Sequence, residues 1–285
     1  MRIRVVTLNL LHGAPIPGFR QARGSLETRL AWTSDRLAEE SPDVVLLQEA
    51  SVSAKHGNTA ATIACKLGMD FVYARANPRG VFRPLGRLVR ELSFEEGPAV
   101  LSRLPIVTHR IHRLSSRLSL FEQRLALEAV LQGPEARFSV FSVHLSARSR
   151  TDRTHQIAQL LRAVEQTPHA HPVIVGGDFN ADEDSREIRL LTDIAGWIDS
   201  FRHVHRQAAG HTWGQALSEA SATASSRIDF LFSVPAGAEH WDPSHSRLVL
   251  DRSFPAGRAG VLWASDHYGV LTDFEAPSTR RNCTK

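Results

Sequence analysis

Two β-sheets packed face to face, with helices on their outer surfaces, are the α/β arrangement that this sequence predicts. Three observations carry that expectation. Strand-like and helix-like segments alternate over almost the whole chain, with no linker to divide them. The strand segments outnumber the helical ones, and several adjoin as hairpin-like pairs, such as Leu125–Leu131 followed by Phe138–Val143. A single doubly wound parallel sheet would need a helix between successive strands. Finally, most strands are continuous aliphatic and β-branched runs, the pattern of strands buried on both faces.

Ile3–Leu11 reads as a buried strand, and Gly13–Gly24, rich in Pro and Gly, as a loop. Ser25–Glu40 has helical spacing through Leu26, Leu30 and Leu37, with Ser25 placed as an N-cap and Pro42 as a stop. Val44–Leu47 is a strand, Thr59–Leu67 a helix and Phe71–Tyr73 a short strand. The stretch from Arg75 to Glu96 is irregular, and its composition describes a mobile basic loop carrying Arg75, Arg79, Arg83, Arg87 and Arg90. Strands follow at Ala99–Leu101, Leu125–Leu131 and Phe138–Val143, then a helix at Arg153–Val164 and a strand at Val173–Val175. Ile228–Phe232 and Val270–Phe274 close the sheets. One domain over residues 1–276 with a flexible tail at 277–285 is expected.

With 285 residues, 42% hydrophobic and 22% charged, the chain is an ordinary globular protein with material for a large core. A net charge of +4 leans toward anionic ligands, although the cationic residues are widely spread. The two cysteines, Cys65 and Cys283, exclude a disulfide scaffold and a cysteine-based metal site. The opening MRIRVVTLNL is a strand start, too short for a secretory signal, and no apolar run approaches the ~20 residues of a membrane span. A reduced, cytoplasmic, monomeric protein is expected.

Chemistry concentrates where apolar runs end in polar residues. In GGDFN, two glycines follow a strand and would let the backbone turn closely around a ligand. Asp178 and Asn180 share a face if the chain stays extended; the carboxylate could polarise a water or hold a cation, and the amide could contact phosphate. An Asx turn is the plain alternative. Glu49 ends DVVLLQE and Asn9 follows VVTL, so both should emerge at strand ends, Glu49 as an oxygen ligand or a solvated terminus, Asn9 as a site residue or a turn former. SDHYGV sets Asp266, facing a metal, beside His267, whose best orienting partner is Asp229 of RIDF. His144 ends another strand, as a phosphate contact or a satisfied surface histidine. Arg124 could reach phosphate through its fork or pair with Glu122 or Glu128. If Glu49, Asp178, Asp229 and Asp266 converge, each like-charge pair at ~4 Å costs ~4 kcal/mol at an effective dielectric of 20, so a divalent cation and a charged His267 are nearly required.

With these motifs in this order, the chain resembles the endonuclease/exonuclease/phosphatase superfamily, the fold of deoxyribonuclease I, from Asn9 to Val270. The resemblance implies a four-layered α/β/β/α sandwich of two mixed, mainly antiparallel sheets, and Mg²⁺- or Mn²⁺-dependent hydrolysis of phosphate esters. By motif, Asn9 and Glu49 look like the first metal-site pair, Asp178 like the residue that orients or deprotonates water, and Asn180 like its phosphate-binding companion. Asp229 resembles the partner of His267, and Asp266 the metal- or water-linked Asp. His144 in SVHLS matches the second His of the branch containing deoxyribonuclease I and sphingomyelinases; Arg153 and Gln156 fit the run that follows it, and Glu96 is placed to support it. Leu11 stands where abasic-site endonucleases have an Asp, which argues against that repair role.

The expected function is a metal-dependent phosphodiesterase of nuclease type acting by direct in-line water attack. Phosphate would be bound by Asn9, Asn180, Arg124 and His144, and nucleic acid is the candidate macromolecular substrate. The alternatives are a phosphomonoesterase, an esterase for phospholipids or phosphorylated metabolites, and a non-catalytic protein that binds phosphate ligands.

Overall fold

The computed structural model describes residues 1–11, 25–76, 95–116, 123–168, 172–235, 241–257 and 260–276. The expected loop at 13–24, Arg79, Arg83, Arg87 and Arg90 of the basic stretch, and the tail with Cys283 lie outside them.

The first sheet is built from β1 (Arg2–Asn9), β2 (Val44–Ser53), β3 (Gly57–Asn58), β4 (Asp70–Tyr73), β5 (Glu95–Ser102), β12 (Asp242–Val249) and β15 (Gly269–Glu275). Its order is β12-β15-β1-β2-β5-β4, with β3 paired to β2. The second sheet contains β6 (Ile106–Leu114), β7 (Arg124–Gln132), β8 (Arg137–His144), β9 (Val173–Asp178), β10 (Ile198–Asp199) and β11 (Asp229–Val234), in the order β10-β11-β9-β8-β7-β6. Within each sheet one pair is parallel, β1 with β2 and β8 with β9, and the other pairs are antiparallel. A two-stranded ribbon, β13 (Phe254–Pro255) with β14 (Val261–Leu262), lies outside both.

Strand periodicity creates three apolar layers. Val5, Val44 and Leu46 point inward and meet Leu127, Phe138, Val140 and Ile174 of the second sheet. Their neighbours Val6, Val45 and Leu47 point outward, onto helices α1 (Leu26–Glu40) and α2 (Thr59–Leu67). Phe141, Val143 and Val175 do the same on the second sheet, under Ile157 and Leu160 of α3 (Arg150–Glu165). The result is the expected helix–sheet–sheet–helix stack. Each fully buried aliphatic side chain contributes about 1.5–3 kcal/mol.

Local signals set the helix ends. Asn58 accepts from Ala61 N at 3.1 Å and Ser149 from Asp152 N at 3.1 Å, each capping a first turn. Ser25 precedes α1 as expected but makes no such cap; its hydroxyl accepts from Arg29 Nε at 3.2 Å. Two strands that the sequence does not announce, β6 and β12, are sheet edges. Several expected strands run longer, and β2 continues past Leu47 to Ser53. Among the described residues no helix is long and apolar enough to cross a membrane.

Candidate active site

Register alone places three chemical groups in a row. Asp229 of β11 lies opposite Asp178 of β9, and Asp178 lies opposite His144 of β8. From the other sheet, β1 ends at Asn9, which is paired with Gln48, next to Glu49. The two rows meet at a single amide. Asn9 Nδ2 donates to Asp178 Oδ2 at 3.0 Å and to Glu49 Oε1 at 3.3 Å. Behind this contact Ser142 Oγ donates to Leu47 O at 2.8 Å and receives Gln48 Nε2 at 3.1 Å, so polar groups fix the sheets to each other beside the site.

Glu49 is not at a strand end. It sits inside β2, at the irregularity between Leu47 and Ala50, with φ of 52°. Among the described residues five non-glycine residues have positive φ, and three of them, Leu11, Glu49 and Asn180, adjoin this site. Left-handed backbone costs such residues about 1–3 kcal/mol, and here it turns side chains that a regular strand would point elsewhere.

The segment Gly176–Asn180 takes the Asx-turn alternative rather than the extended one. The chain leaves the strand after Asp178, and Asp178 Oδ1 accepts from Asn180 N at 2.8 Å, an Asx turn. Asn180 Nδ2 donates to Leu145 O at 3.1 Å, which keeps the amide beside His144. The glycines serve the sheets rather than a ligand. A Cβ on Gly177 would lie 1.9 Å from Val143 O, and one on Gly176 would lie 2.5 Å from a methyl of Leu231 and 2.8 Å from one of Leu46.

Two imidazoles face the Asp178 carboxylate. His267 Nδ1 donates to Asp229 Oδ2 at 2.8 Å, and its Nε2 lies 3.8 Å from Asp178 Oδ2 and 3.9 Å from Asp266 Oδ1. His144 Nε2 lies 3.5 Å from Asp178 Oδ2, while Arg124 Nη1 donates to its Nδ1 at 3.1 Å. His144 is therefore buried, not a surface histidine, and Glu128 instead takes His112 at 2.9 Å. Burial pushes Asp178 up to about 7, helped by Asp229 and opposed by His267, the Asn180 N–H and Asn9. Burial would push His267 down, but the charge and hydrogen bond of Asp229, with Asp178 and Asp266, raise it to about 10. His267 is thus an imidazolium at neutral pH.

Glu49, Glu96, Arg124 and His144 line one narrow cleft with Ala76, Gly97, Pro98 and Leu125. Arg153 Nη1 donates to Ser146 O at 3.1 Å, and Gln156 Oε1 accepts from Ser146 N at 2.9 Å, so the run after His144 braces its loop. The structure brings together Asn9, Glu49, Asp178, Asn180, Asp229, His144, Arg124, Asp266 and His267 around one end of the sandwich.

Three supports were not read from the sequence. Arg29 is fully buried and donates to Leu10 O at 2.9 Å, Leu11 O at 2.8 Å and Ala264 O at 2.7 Å, tying α1 to the segments after Asn9 and before Asp266. Burial lowers its guanidinium to about 10 against the pull of Asp266 and Glu49. Its signal was an arginine on the apolar stripe of Leu26, Leu30 and Leu37. Thr212 Oγ1 accepts from Ile228 N and Asp229 N at 3.2 Å each, steadying the start of β11. Trp213 bridges to Ser226 and His267 with its indole partly exposed.

The donors suit a hard divalent cation. Carboxylate and amide oxygens dominate, and Glu49 and Asp266 are partly exposed at the mouth. Asp178 and Asp229 bring carboxylate oxygens within 4.8 Å of each other and of a His267 nitrogen, and Asp229 Oδ1 is buried with no hydrogen-bond partner among the described residues; His267, as an imidazolium, has no lone pair for a cation and serves as a neighbouring charge instead.

The Endonuclease/Exonuclease/phosphatase family model matches residues 6–267. No curated protein matches the sequence. Among solved structures, an endonuclease/exonuclease/phosphatase family protein from Bacteroides thetaiotaomicron is 17% identical with TM-score 0.74, covering 96% of this chain and 97% of that one. A mannosyl-6-phosphatase from the same species is 18% identical with TM-score 0.74, covering 95% and 99%. D. rerio TDP2 complexed with single strand DNA product is 20% identical with TM-score 0.70, covering 96% and 99%. With a family model spanning nearly the whole chain, and its motifs gathered at one end of a two-sheet sandwich, the chain belongs to the endonuclease/exonuclease/phosphatase family of phosphate-ester hydrolases.

Proposed function

We propose that this chain is a divalent-metal-dependent phosphodiesterase of nuclease type that works by direct in-line water attack. The observation that carries the reading is the approach of two imidazole Nε2 atoms to one buried carboxylate oxygen, His144 at 3.5 Å and His267 at 3.8 Å from Asp178 Oδ2. A small polar volume bounded by a base and two proton-bearing rings suits a phosphoryl centre.

Mg²⁺ or Mn²⁺, held by Glu49 with Asn9 and Asp266, would supply Lewis-acid polarisation of a phosphate oxygen and stabilise developing charge. Asp229 is already committed to His267 through its 2.8 Å bond, so its role is to hold that ring charged and oriented. Asp178 aligns the attacking water and accepts its proton, a task suited to a carboxyl raised to about 7. His267 and His144 face the phosphoryl oxygens, stabilise the pentavalent transition state and supply the leaving-group proton. Asn180 keeps one amide hydrogen beyond its bond to Leu145 O for phosphate, and Arg124 sets the His144 ring while lining the cleft.

A second reading is a phosphomonoesterase for a phosphorylated sugar, favoured by the full-length likeness to the mannosyl-6-phosphatase. A panel of bis(p-nitrophenyl) phosphate, p-nitrophenyl phosphate, mannose 6-phosphate, plasmid DNA and single-stranded DNA, with Mg²⁺, Mn²⁺ or EDTA, separates them. Cleavage of diesters and DNA that EDTA abolishes supports the first reading. Phosphate release from monoesters without plasmid nicking selects the second, and no turnover of any ester with either metal contradicts both.

A further inference from the structure

Arg29 carries a charge inside the protein, on the buried stripe of α1 with Leu26, Leu30 and Leu37. A guanidinium is stable there only where polar groups surround it. Ser25 Oγ accepts from its Nε at 3.2 Å, and its two Nη atoms fork onto backbone. Nη1 donates to Leu10 O at 2.9 Å and to Ala264 O at 2.7 Å, and Nη2 donates to Leu11 O at 2.8 Å. Leu10 and Leu11 directly follow Asn9, and Ala264 stands just ahead of Ser265 and Asp266. One side chain thus joins two segments, distant in sequence, that carry two of the proposed cation ligands. The hold on Leu11 passes on to the site. Leu11 has φ of 47°, a left-handed backbone that leucine adopts only at a cost. Its carbonyl accepts from Arg29, and its N–H donates to Asn9 Oδ1 at 3.0 Å. The amide fixed in this way reaches Asp178 Oδ2 and Glu49 Oε1 through Nδ2. On the other side, Ser265 Oγ accepts from His267 N at 3.2 Å and donates to Asp266 Oδ1 at 3.3 Å.

We infer that Arg29 is a positioning residue for the divalent cation: its fork sets the spacing of the segments that carry Asn9 and Asp266, and with it the affinity of the site for metal. The inference rests on the proposed ligands Glu49, Asn9 and Asp266, and adds a residue of the helix layer that acts on them through backbone. Groups that orient metal ligands from behind change metal affinity by about 10- to 100-fold when they are lost. The fork is the part that matters. Lysine would bring the same charge, but a single ammonium does not reproduce the planar fork that spans Leu10, Leu11 and Ala264. Arg29 remains a cation at neutral pH, in the field of Asp266 and Glu49, so a variant that keeps the charge separates geometry from electrostatics. The plainer role is to lock α1 onto the sheet, and it makes a different prediction: lower stability with metal affinity unchanged.

The test titrates Mn²⁺ into the full chain, stripped with EDTA and dialysed, and reads the free ion by electron paramagnetic resonance with no substrate present. Arg29→Lys is compared with wild type and with Arg4→Gln, which also frees a carbonyl of α1, Glu40 O, but at the far end of that helix. Arg29→Lys, folded by circular dichroism, is expected to bind Mn²⁺ about 10-fold more weakly. Arg4→Gln should bind it as wild type does. At saturating Mn²⁺ the KM for bis(p-nitrophenyl) phosphate should stay within about twofold of wild type in both variants. A folded Arg29→Lys with wild-type Mn²⁺ affinity overturns the inference, whatever its stability, and so does an equal loss in Arg4→Gln. If Arg29→Lys does not fold, Ser25→Ala decides, because it removes the oxygen that holds Nε and leaves the arginine in place. Affinity lower by about 3-fold in that variant supports the inference, and unchanged affinity overturns it. Wild type that shows no Mn²⁺ binding contradicts the proposed cation and takes this inference with it. Wild type that binds Mn²⁺ and turns over no ester contradicts the hydrolase reading alone, and weaker Mn²⁺ binding by Arg29→Lys still supports the positioning role.

Discussion

Asn9 Nδ2 and Asp178 Oδ2, from residues 169 apart in the chain, meet at 3.0 Å and join the ends of two different sheets. The same amide reaches Glu49 at 3.3 Å, so one neutral side chain separates two carboxylates that would otherwise repel. Its oxygen accepts from Leu11 N at 3.0 Å, which fixes the amide orientation.

Asn9→Ala removes the donor from a buried carboxylate oxygen. The expected cost is about 1–3 kcal/mol of stability, read by urea denaturation, because Asp178 loses a partner that solvent cannot replace. Diester turnover should fall about 100-fold, the usual effect of losing one preorganised donor.

Asp229→Asn addresses the imidazolium. In the native protein Asp229 is the main group opposing the burial that would push His267 down, and His267 stays charged up to about pH 10. With Asn in its place the ring loses its proton at lower pH. The alkaline limb of the pH–rate profile should therefore move toward neutrality, with kcat down about 100-fold. A profile identical to wild type would contradict the assigned role of this pair.

Arg4→Gln tests a charge far from the site. The Asp273 carboxyl sits below the usual range because Arg4 donates to it, Nε to Oδ1 at 2.7 Å and Nη2 to Oδ2 at 2.9 Å, against the effect of burial. A depressed native pKa stabilises fully above the unfolded value near 4, and that stability is lost as pH falls through the native value. The variant should be about 1–2 kcal/mol less stable at pH 7, partial exposure of Arg4 screening the rest. The difference should narrow as pH falls below the unfolded value near 4 and through the lower native value, when both proteins are unfolded in urea across that range.

The candidate site residues were readable in the sequence because apolar strands end in, or run through, isolated polar groups. Asn9, Asp178, His144 and Asp229 stand out for that reason. Their convergence came from register, which no local pattern contains. β6 and β12 were missed because edge strands expose both faces and lose the apolar run that marks a core strand. The extent of β2 was misread at the same kind of place. Glu49 looked like an end, whereas an irregularity carries the strand past it with φ of 52°. Arg29 stands on the apolar stripe of α1, but only the fold shows the three carbonyls around it. Gly176 and Gly177 were assigned to a ligand because the sequence cannot show Val143, Leu46 and Leu231 crowding the same backbone.

The central claim is that Asp178 acts on water at a phosphoryl centre. The most direct measurement is kcat for bis(p-nitrophenyl) phosphate with saturating Mn²⁺, wild type against Asp178→Asn, each checked for native circular dichroism. A folded Asn variant slower by at least about 100-fold is the expected result. A folded variant that keeps most of the wild-type rate would contradict it.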